Sequence, residues 1–307
     1  MAIIFFGTPD FAVTSLKALA EEEEDTVLVV TQPDRVKGRG HALSSPPVKE
    51  LALSHGIKVV QPEKIRDNEF YREIAGYNPE FIIVVAYGRI LPKEILNIPA
   101  RGCVNVHASL LPKYRGAAPI QWSLIRGEKI TGVATMLMDA GLDTGDILLQ
   151  SVLDISVDDN AATLSQKLSA LGAVTLLDTI RGMRSGCVSP MPQVGEATYA
   201  PSLSKEDGKI DWLKSAAELE NFIRGMNPWP SAFCSLGKER IKIMRAKALS
   251  GTGEPGRIEK ASSGTLLAGT AKGLIMIMEL QPEGKKIMPV AAFLAGRRLR
   301  EGHDKFS

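Results

Sequence analysis

The chain is poor in the residues whose clustering most quickly betrays chemistry. Its three cysteines, Cys103, Cys187 and Cys234, are far apart and odd in number. Neither a disulfide framework nor a four-ligand zinc site can be drawn from them, and a reducing cytoplasm fits that usage. The four histidines, His41, His55, His107 and His303, show no metal-ligand spacing, so no metal is expected. The longest apolar run, residues 81–87, falls far short of the ~18–20 residues that span a bilayer. No basic leader precedes the apolar residues 2–6, and no Arg- and Ser-rich amphipathic segment suggests a transit peptide. Gly7 stands alone after the first strand-like run, without the G-x-G-x-x-G that lets backbone approach a pyrophosphate, which argues against a dinucleotide. The phosphate-cradling G-x-x-x-x-G-K-[ST] is missing too, which argues against phosphoryl transfer from ATP or GTP.

What is present is an ordinary folded composition, 44% hydrophobic and 23% charged over 307 residues, long enough for about two domains. Through the first half, strand-like runs at 2–6, 26–31, 58–61, 80–86 and 102–107 alternate with helix-like segments at 8–20 and 47–54. A helix at 118–126, strands at 132–138 and 146–155 and a long helix at 161–182 follow. That alternation predicts an α/β fold, a Rossmann-like and mostly parallel sheet with flanking helices. From 185 to 209 the pattern dissolves into Gly, Pro, Ser and mixed charge, the composition of a linker. A short helix at 215–225 and brief strands at 231–236, 240–246, 256–261, 264–269 and 273–280 then predict a small OB-like β-barrel. The expected domains are therefore 1–189, a linker at 190–208, and 209–307. Charge divides similarly: the net of +2 resolves into about +5 after Lys205 and −3 up to and including it, a modest hint of a polyanionic partner for the second domain.

The informative stretch is Cys103-Val104-Asn105-Val106-His107, followed by Ala108-Ser109-Leu110-Leu111-Pro112. Side chains alternate along a strand, so Asn105 and His107 share one face. They should lie where ligands bind open α/β sheets, outside the carboxyl ends of the strands. An Asp/Gly cluster, residues 139–146, follows the next strand and could bring a carboxylate to His107. Spacing alone also allows a hydrogen-bonded pair and an ordinary turn. The chemistry of the set says more. A carboxamide can donate to a developing oxyanion, an imidazole can move protons near pH 7, and a carboxylate can orient that imidazole. Together they suit attack on a carbonyl carbon.

The Asn105-x-His107-x-Ser109-Leu110-Leu111-Pro112 run, with Asp143 downstream, resembles the signature of the 10-formyltetrahydrofolate-dependent formyltransferases. Residues 7–11 (GTPDF), 31–35 (TQPDR), 85–88 (VAYG), 115–120 (RGAAPI) and 227–230 (NPWP) are similar to the branch that formylates methionyl initiator tRNA, and they cover both halves of the chain. The resemblance implies catalytic roles for Asn105, His107 and Asp143. Asn105 and a protonated His107 would stabilise the oxygen of the adduct, and Asp143 would keep His107 charged and take up the amine's proton; direct deprotonation of the amine by His107 stays open as the alternative. It further implies that Ser109, Leu110, Leu111 and Pro112 border the folate, and that Val85, Ala86, Tyr87 and Gly88 lie near its pterin.

The same resemblance makes the glycine-spaced cations Arg35, Lys37 and Arg39 a loop that enters the acceptor end of the tRNA. In the second domain, alternation sends Ile241 and Ile243 inward and Arg240 and Lys242 outward, where they could follow phosphates. Trp122, Trp212 and Trp229 read as packing residues. The implied formyl donor is 10-formyltetrahydrofolate and the implied partner methionyl initiator tRNA. No coiled-coil seam is evident, so a monomer is expected. Three rival readings stand beside this one: formylation of a small amine, a catalytically idle RNA-binding protein, and hydrolysis of the formyl donor. The basic loop and the second domain speak against the first, and the complete trio against the second. A donor-only assay would expose the third.

Overall fold

Strand β1 (Ile3–Gly7) is buried along its whole length, as is the strand beside it at 81–85, and such unbroken apolar runs belong to a parallel sheet covered on both faces. The computed structural model describes residues 2–37, 42–262 and 264–307. After β1 come α1 (Asp10–Glu21), β2 (Thr26–Val30), β3 (Arg35–Lys37), β4 (Ala42–Ser44), α2 (Pro47–Ser54), β5 (Lys58–Val60), α3 (Asn68–Gly76) and β6 (Phe81–Val85). The chain continues through α4 (Lys93–Leu96), β7 (Cys103–His107), α5 (Pro119–Ile125), β8 (Ile130–Leu137), β9 (Ile147–Asp154) and α6 (Ala161–Ser185). The seven-stranded sheet runs β5-β2-β1-β6-β7-β8-β9. It is parallel from β5 to β7, and both β8 and β9 are antiparallel to their neighbours.

The later elements are α7 (Ala216–Met226), β10 (Ala232–Leu236), β11 (Glu239–Leu249), β12 (Ile258–Ser262), β13 (Thr265–Gly269), β14 (Leu274–Pro282), β15 (Met288–Pro289) and α8 (Val290–Ala295). Ser215 opens α7 with a capping box, its hydroxyl accepting from the Glu218 N–H while the Glu218 carboxylate accepts from the Ser215 N–H. The antiparallel strands run β10-β11-β14-β13-β12, with β15 on β14. Residues 302–307 close this path. Ser307 exchanges both backbone hydrogen bonds with Ser235, the Phe306 N–H donates to the Gly256 carbonyl, and Ile258 bonds Asp304 and Gly302. The Phe306 ring is fully buried and stacks on Trp212 with centroids 5.4 Å apart. The sheet is thereby a small barrel filled by Ile241, Ile243, Ile258, Leu266, Ile277 and Leu280.

The two compact units interleave along the sequence. The first takes Met1–Gly116, Ile130–Asp154 and Ser165–Ala200; the second takes Ala117–Lys129, Ile155–Leu164 and Pro201–Ser307. Helix α5, expected within the 1–189 domain, thus groups with the second unit. The reason is its packing on α7, where Gly225 permits the approach: a Cβ there would lie 2.6 Å from Ile125 Cγ1 and 2.8 Å from the Gln121 carbonyl oxygen. The segment with linker composition is also partly tied down. Met191 exchanges backbone hydrogen bonds with Ile147, and residues 198–200 bond along Tyr114 and Arg115. Of the tryptophans, Trp212 is buried and Trp122 packs on the second core. Trp229, expected to pack likewise, is 51% exposed, because it stands between two prolines past the end of α7 and outside any core-facing repeat.

Candidate active site

Val84 of β6 lies opposite Asn105 of β7, so the two strands deliver the 85–88 segment and the Asn105/His107 pair to the same end of the sheet. His107 is buried and Asn105 half-buried. His107 Nε2 is 3.0 Å from the Tyr114 carbonyl oxygen. A carbonyl can only accept, so Nε2 carries the proton. The opposite edge of the ring faces Asp143, with Nδ1 3.8 Å from Oδ1. Among the described residues the Asn105 carboxamide has no hydrogen-bond partner. The set therefore holds an uncommitted donor, an imidazole anchored at one nitrogen, and a carboxylate facing the other.

The route by which Asp143 arrives is indirect. Because β8 is antiparallel to β7, with Val104 opposite Leu137 and His107 opposite Ala134, the loop after β8 starts at the far end of β7 and must fold back. Its base is closed by the Leu137 N–H on the Asp146 carbonyl at 2.8 Å. Asp139 stiffens it, accepting from the Gly141 N–H at 2.9 Å and the Thr144 hydroxyl at 2.7 Å. At Gly145 a Cβ would sit 1.9 Å from the Leu137 carbonyl oxygen, so only glycine fits. The Asp143 carboxylate then accepts the Gly116 N–H at 2.8 Å through Oδ2, leaving Oδ1 toward His107.

Strain gathers at these positions. Ala86, Tyr114 and Asp143 all hold positive φ, at 47°, 60° and 52°, a region that costs an L-residue ~1–2 kcal/mol and concentrates at functional sites. Tyr114 is fixed there by its N–H on the Thr198 hydroxyl at 2.9 Å.

The expected folate-side residues divide. Ala86 and Gly88 are exposed and present backbone. Val85 is fully buried, and the Tyr87 ring packs edge-on against Phe6 at 5.1 Å. The Tyr87 carbonyl is taken by the Gln32 amide at 3.1 Å and the Thr8 hydroxyl at 3.2 Å, and burial pushes its phenol above the ordinary value. Ser109 is buried with its hydroxyl on the Lys113 carbonyl at 2.6 Å, and Leu111 packs with Ala134 and Met136. These two shape the loop from inside, while Leu110 and Pro112 remain partly open. A cleft of about 840 Å³ lined by residues 66–69, Tyr71 and 90–94 reaches the Asp143 loop only at Ala140. Burial raises the Cys103 thiol to about 12, so it is no nucleophile at neutral pH. Among the described residues no cluster of His, Cys, Asp or Glu could hold a metal ion.

Of the expected tRNA contacts, Arg39 lies outside the described residues. Arg35 is exposed on β3, and Lys37 ends that strand. The root of the loop is fixed by a network that sequence reading missed. Lys49 Nζ donates to Asp34 at 2.7 Å and to Gln61 at 2.8 Å, while the Gln61 amide donates to Asp34 and to the Gln32 carbonyl, each at 2.8 Å. The Lys49 ammonium holds the Asp34 carboxyl below its ordinary value, with Gln61 adding to the effect.

In the barrel, Arg240 is exposed, with its guanidinium over the Phe233 ring at 3.5 Å, and Lys242 is half-buried on the same outward face. Register shifts between Ile243 and Ala246 re-phase the strand, so Arg245 and Lys247 also face solvent.

Comparison with known proteins follows the same lines. Residues 1–180 match the family model "Formyl transferase", and 202–298 match "Formyl transferase, C-terminal domain". A methionyl-tRNA formyltransferase of Thermodesulfovibrio yellowstonii is 57% identical over 305 residues, 99% of each chain. Among solved structures, a methionyl-tRNA formyltransferase from Clostridium thermocellum covers 90% of this chain and 99% of its own, at TM-score 0.57 and 22% identity. An N-formyltransferase from Helicobacter canadensis, solved with folinic acid and dTDP-3-aminofucose, covers 90% of this chain and 98% of its own, at TM-score 0.68 and 20% identity. These two likenesses speak to the fold.

Proposed function

The chain belongs to the formyl transferase family, and from that premise we propose that it transfers the formyl group of 10-formyltetrahydrofolate to the α-amino group of methionyl initiator tRNA. The observation that carries the reading is the Asp143 carboxylate facing His107 Nδ1 at 3.8 Å, with the uncommitted Asn105 carboxamide on the same strand. The near-full-length relative at 57% identity supports the acceptor. The exposed backbone of Ala86 and Gly88 and the partly open Leu110 and Pro112 suit a planar, hydrogen-bonding heterocycle with an apolar flank, so the donor fits. When bound, it supplies an activated one-carbon carbonyl.

The chain's own groups divide the work. Asn105 donates to the carbonyl oxygen as charge develops on it, a role worth ~10²–10³ in rate. The Nε2 proton of His107 is committed to Tyr114, so the share in oxygen stabilisation that sequence alone suggested for His107 passes to Asn105. His107 acts through Nδ1 together with Asp143: the pair receives the amine's proton as the amine nitrogen bonds the formyl carbon, and supplies a proton to the departing tetrahydrofolate nitrogen as the old carbon–nitrogen bond breaks. Such acid-base help contributes roughly 10²–10⁴.

Arg35, Lys37 and Arg39 contact the acceptor end, and Arg240 and Lys242 on the 209–307 domain track phosphates. The setting is the cytoplasm, with the chain acting as a monomer. The test is formylation by purified protein of charged initiator against charged elongator methionine tRNA, with free amino sugar nucleotide and water as competing acceptors. Strong preference for the initiator supports the reading; transfer to the sugar or to water alone overturns it.

A further inference from the structure

Gln193 carries no role in the family resemblance and falls in a stretch whose composition reads as a linker, yet its carboxamide is fully engaged. Its NH2 group donates to the carbonyls of Asp143 at 2.9 Å and Gly145 at 2.8 Å. Its oxygen accepts from Arg115 Nη2 at 2.7 Å and Nε at 3.2 Å. Two residues earlier, Met191 exchanges backbone bonds with Ile147 at the loop base, at 2.8 and 2.9 Å. The next residue after Arg115 is Gly116, whose N–H holds the Asp143 carboxylate. Asp143 is thus gripped by its carbonyl and by its side chain, from two segments that Gln193 joins.

The need for this grip follows from the loop. With Asp143 at a φ of 52°, the carbonyls of residues 143 and 145 converge on one point. Two converging carbonyl dipoles repel unless paired donors stand between them. A neutral amide supplies two donors on one side and an acceptor for a guanidinium on the other. Glutamate keeps the length and the acceptor but turns oxygen toward both carbonyls.

We propose that Gln193 is a positioning residue for the transfer reaction, setting the orientation of the Asp143 carboxylate toward His107 by clamping the 139–146 loop to Arg115. The proposal rests on the catalytic reading of Asp143 given above. Misplacement by about an ångström can cost ~10²-fold in rate, so Gln193→Glu should lower kcat by about that factor. KM for both substrates should stay within about twofold and the melting temperature near wild type, because the side chain is only half-buried.

The decisive measurement is a double-mutant cycle of Gln193→Glu and Gln193→Ala with Asp143→Asn, in single-turnover formylation of charged initiator tRNA. If Gln193 acts through Asp143, its substitutions cost less than about threefold once Asp143 is already changed. A wild-type kcat for both Gln193 variants beside a normal Asp143→Asn defect overturns the clamp alone. Fully multiplicative losses overturn it as well. A wild-type rate for Asp143→Asn overturns the catalytic assignment beneath it.

Discussion

Asp143 and the cations of β11 bring charge to a surface by opposite means. Asp143 sits in a backbone conformation few L-residues adopt and is held there by Gly116, Gln193 and Arg115 from elsewhere in the chain. Arg240, Lys242, Arg245 and Lys247 stand on a paired strand whose alternation, re-phased once, faces them outward. The first arrangement ties one carboxylate down through bonds from distant segments; the second spreads charge along a line. Chemistry on a carbonyl needs the former, and attraction to a polyanion needs only the latter. Substitutions in the first region should therefore fail steeply and singly, and those in the second gently and additively.

The largest test of that contrast is His107→Ala, expected to reduce single-turnover formyl transfer ~10²–10⁴-fold while tRNA affinity stays near wild type, with Asn105→Ala losing ~10²–10³-fold. Equal damage to affinity and to rate would erase the distinction. Next comes Gly116→Ala. A Cβ at its φ of 120° would lie 2.7 Å from the Ala200 carbonyl oxygen, so the backbone must shift and release Asp143. A fall of roughly 10²-fold in kcat with little change in KM is expected. In the barrel, replacing Arg240 and Lys242 by alanine should weaken tRNA binding and reduce the slope of log affinity against log salt by about 2. The rate at saturating tRNA should not change, and an unaltered salt slope would remove the phosphate role.

The smallest effect concerns pH. Lys49 and Gln61 hold the Asp34 carboxyl below its ordinary 3.8. The stabilisation is complete above that value and is lost as pH falls through the depressed one. Melting temperatures recorded on acidification should show a loss below about pH 4 in the wild type, and that loss should be smaller in Asp34→Asn.

The same contrast explains what could be read from the sequence. Asn105 and His107 were legible because a strand alternates, and Ile241 against Arg240 and Lys242 for the same reason. The barrel strands likewise depend on residues near one another in the chain. Asp143 was legible only as a candidate, since its approach depends on β8 turning antiparallel and on bonds to residues 27 and 50 positions away. Gln193 was hidden because composition reports what a segment lacks, an apolar repeat, and not which of its polar side chains find partners. Helix α5 was legible as a helix, but not that it would meet α7 across Gly225. Trp229 departs from the expectation of packing for a related reason: bulk suggests burial, and its place between two prolines beyond α7 leaves it exposed.

Residues 302–307 join β10 to the start of β12, and they are the last of the barrel to leave the ribosome. Until they emerge, both outer edges hang open, and Phe306 is missing from beside Trp212. A nascent chain halted before residue 302 would present two unzipped strands, each able to pair with a neighbouring polypeptide. Synthesis through residues 302–307 thus decides whether the barrel closes or leaves open edges that can seed aggregation.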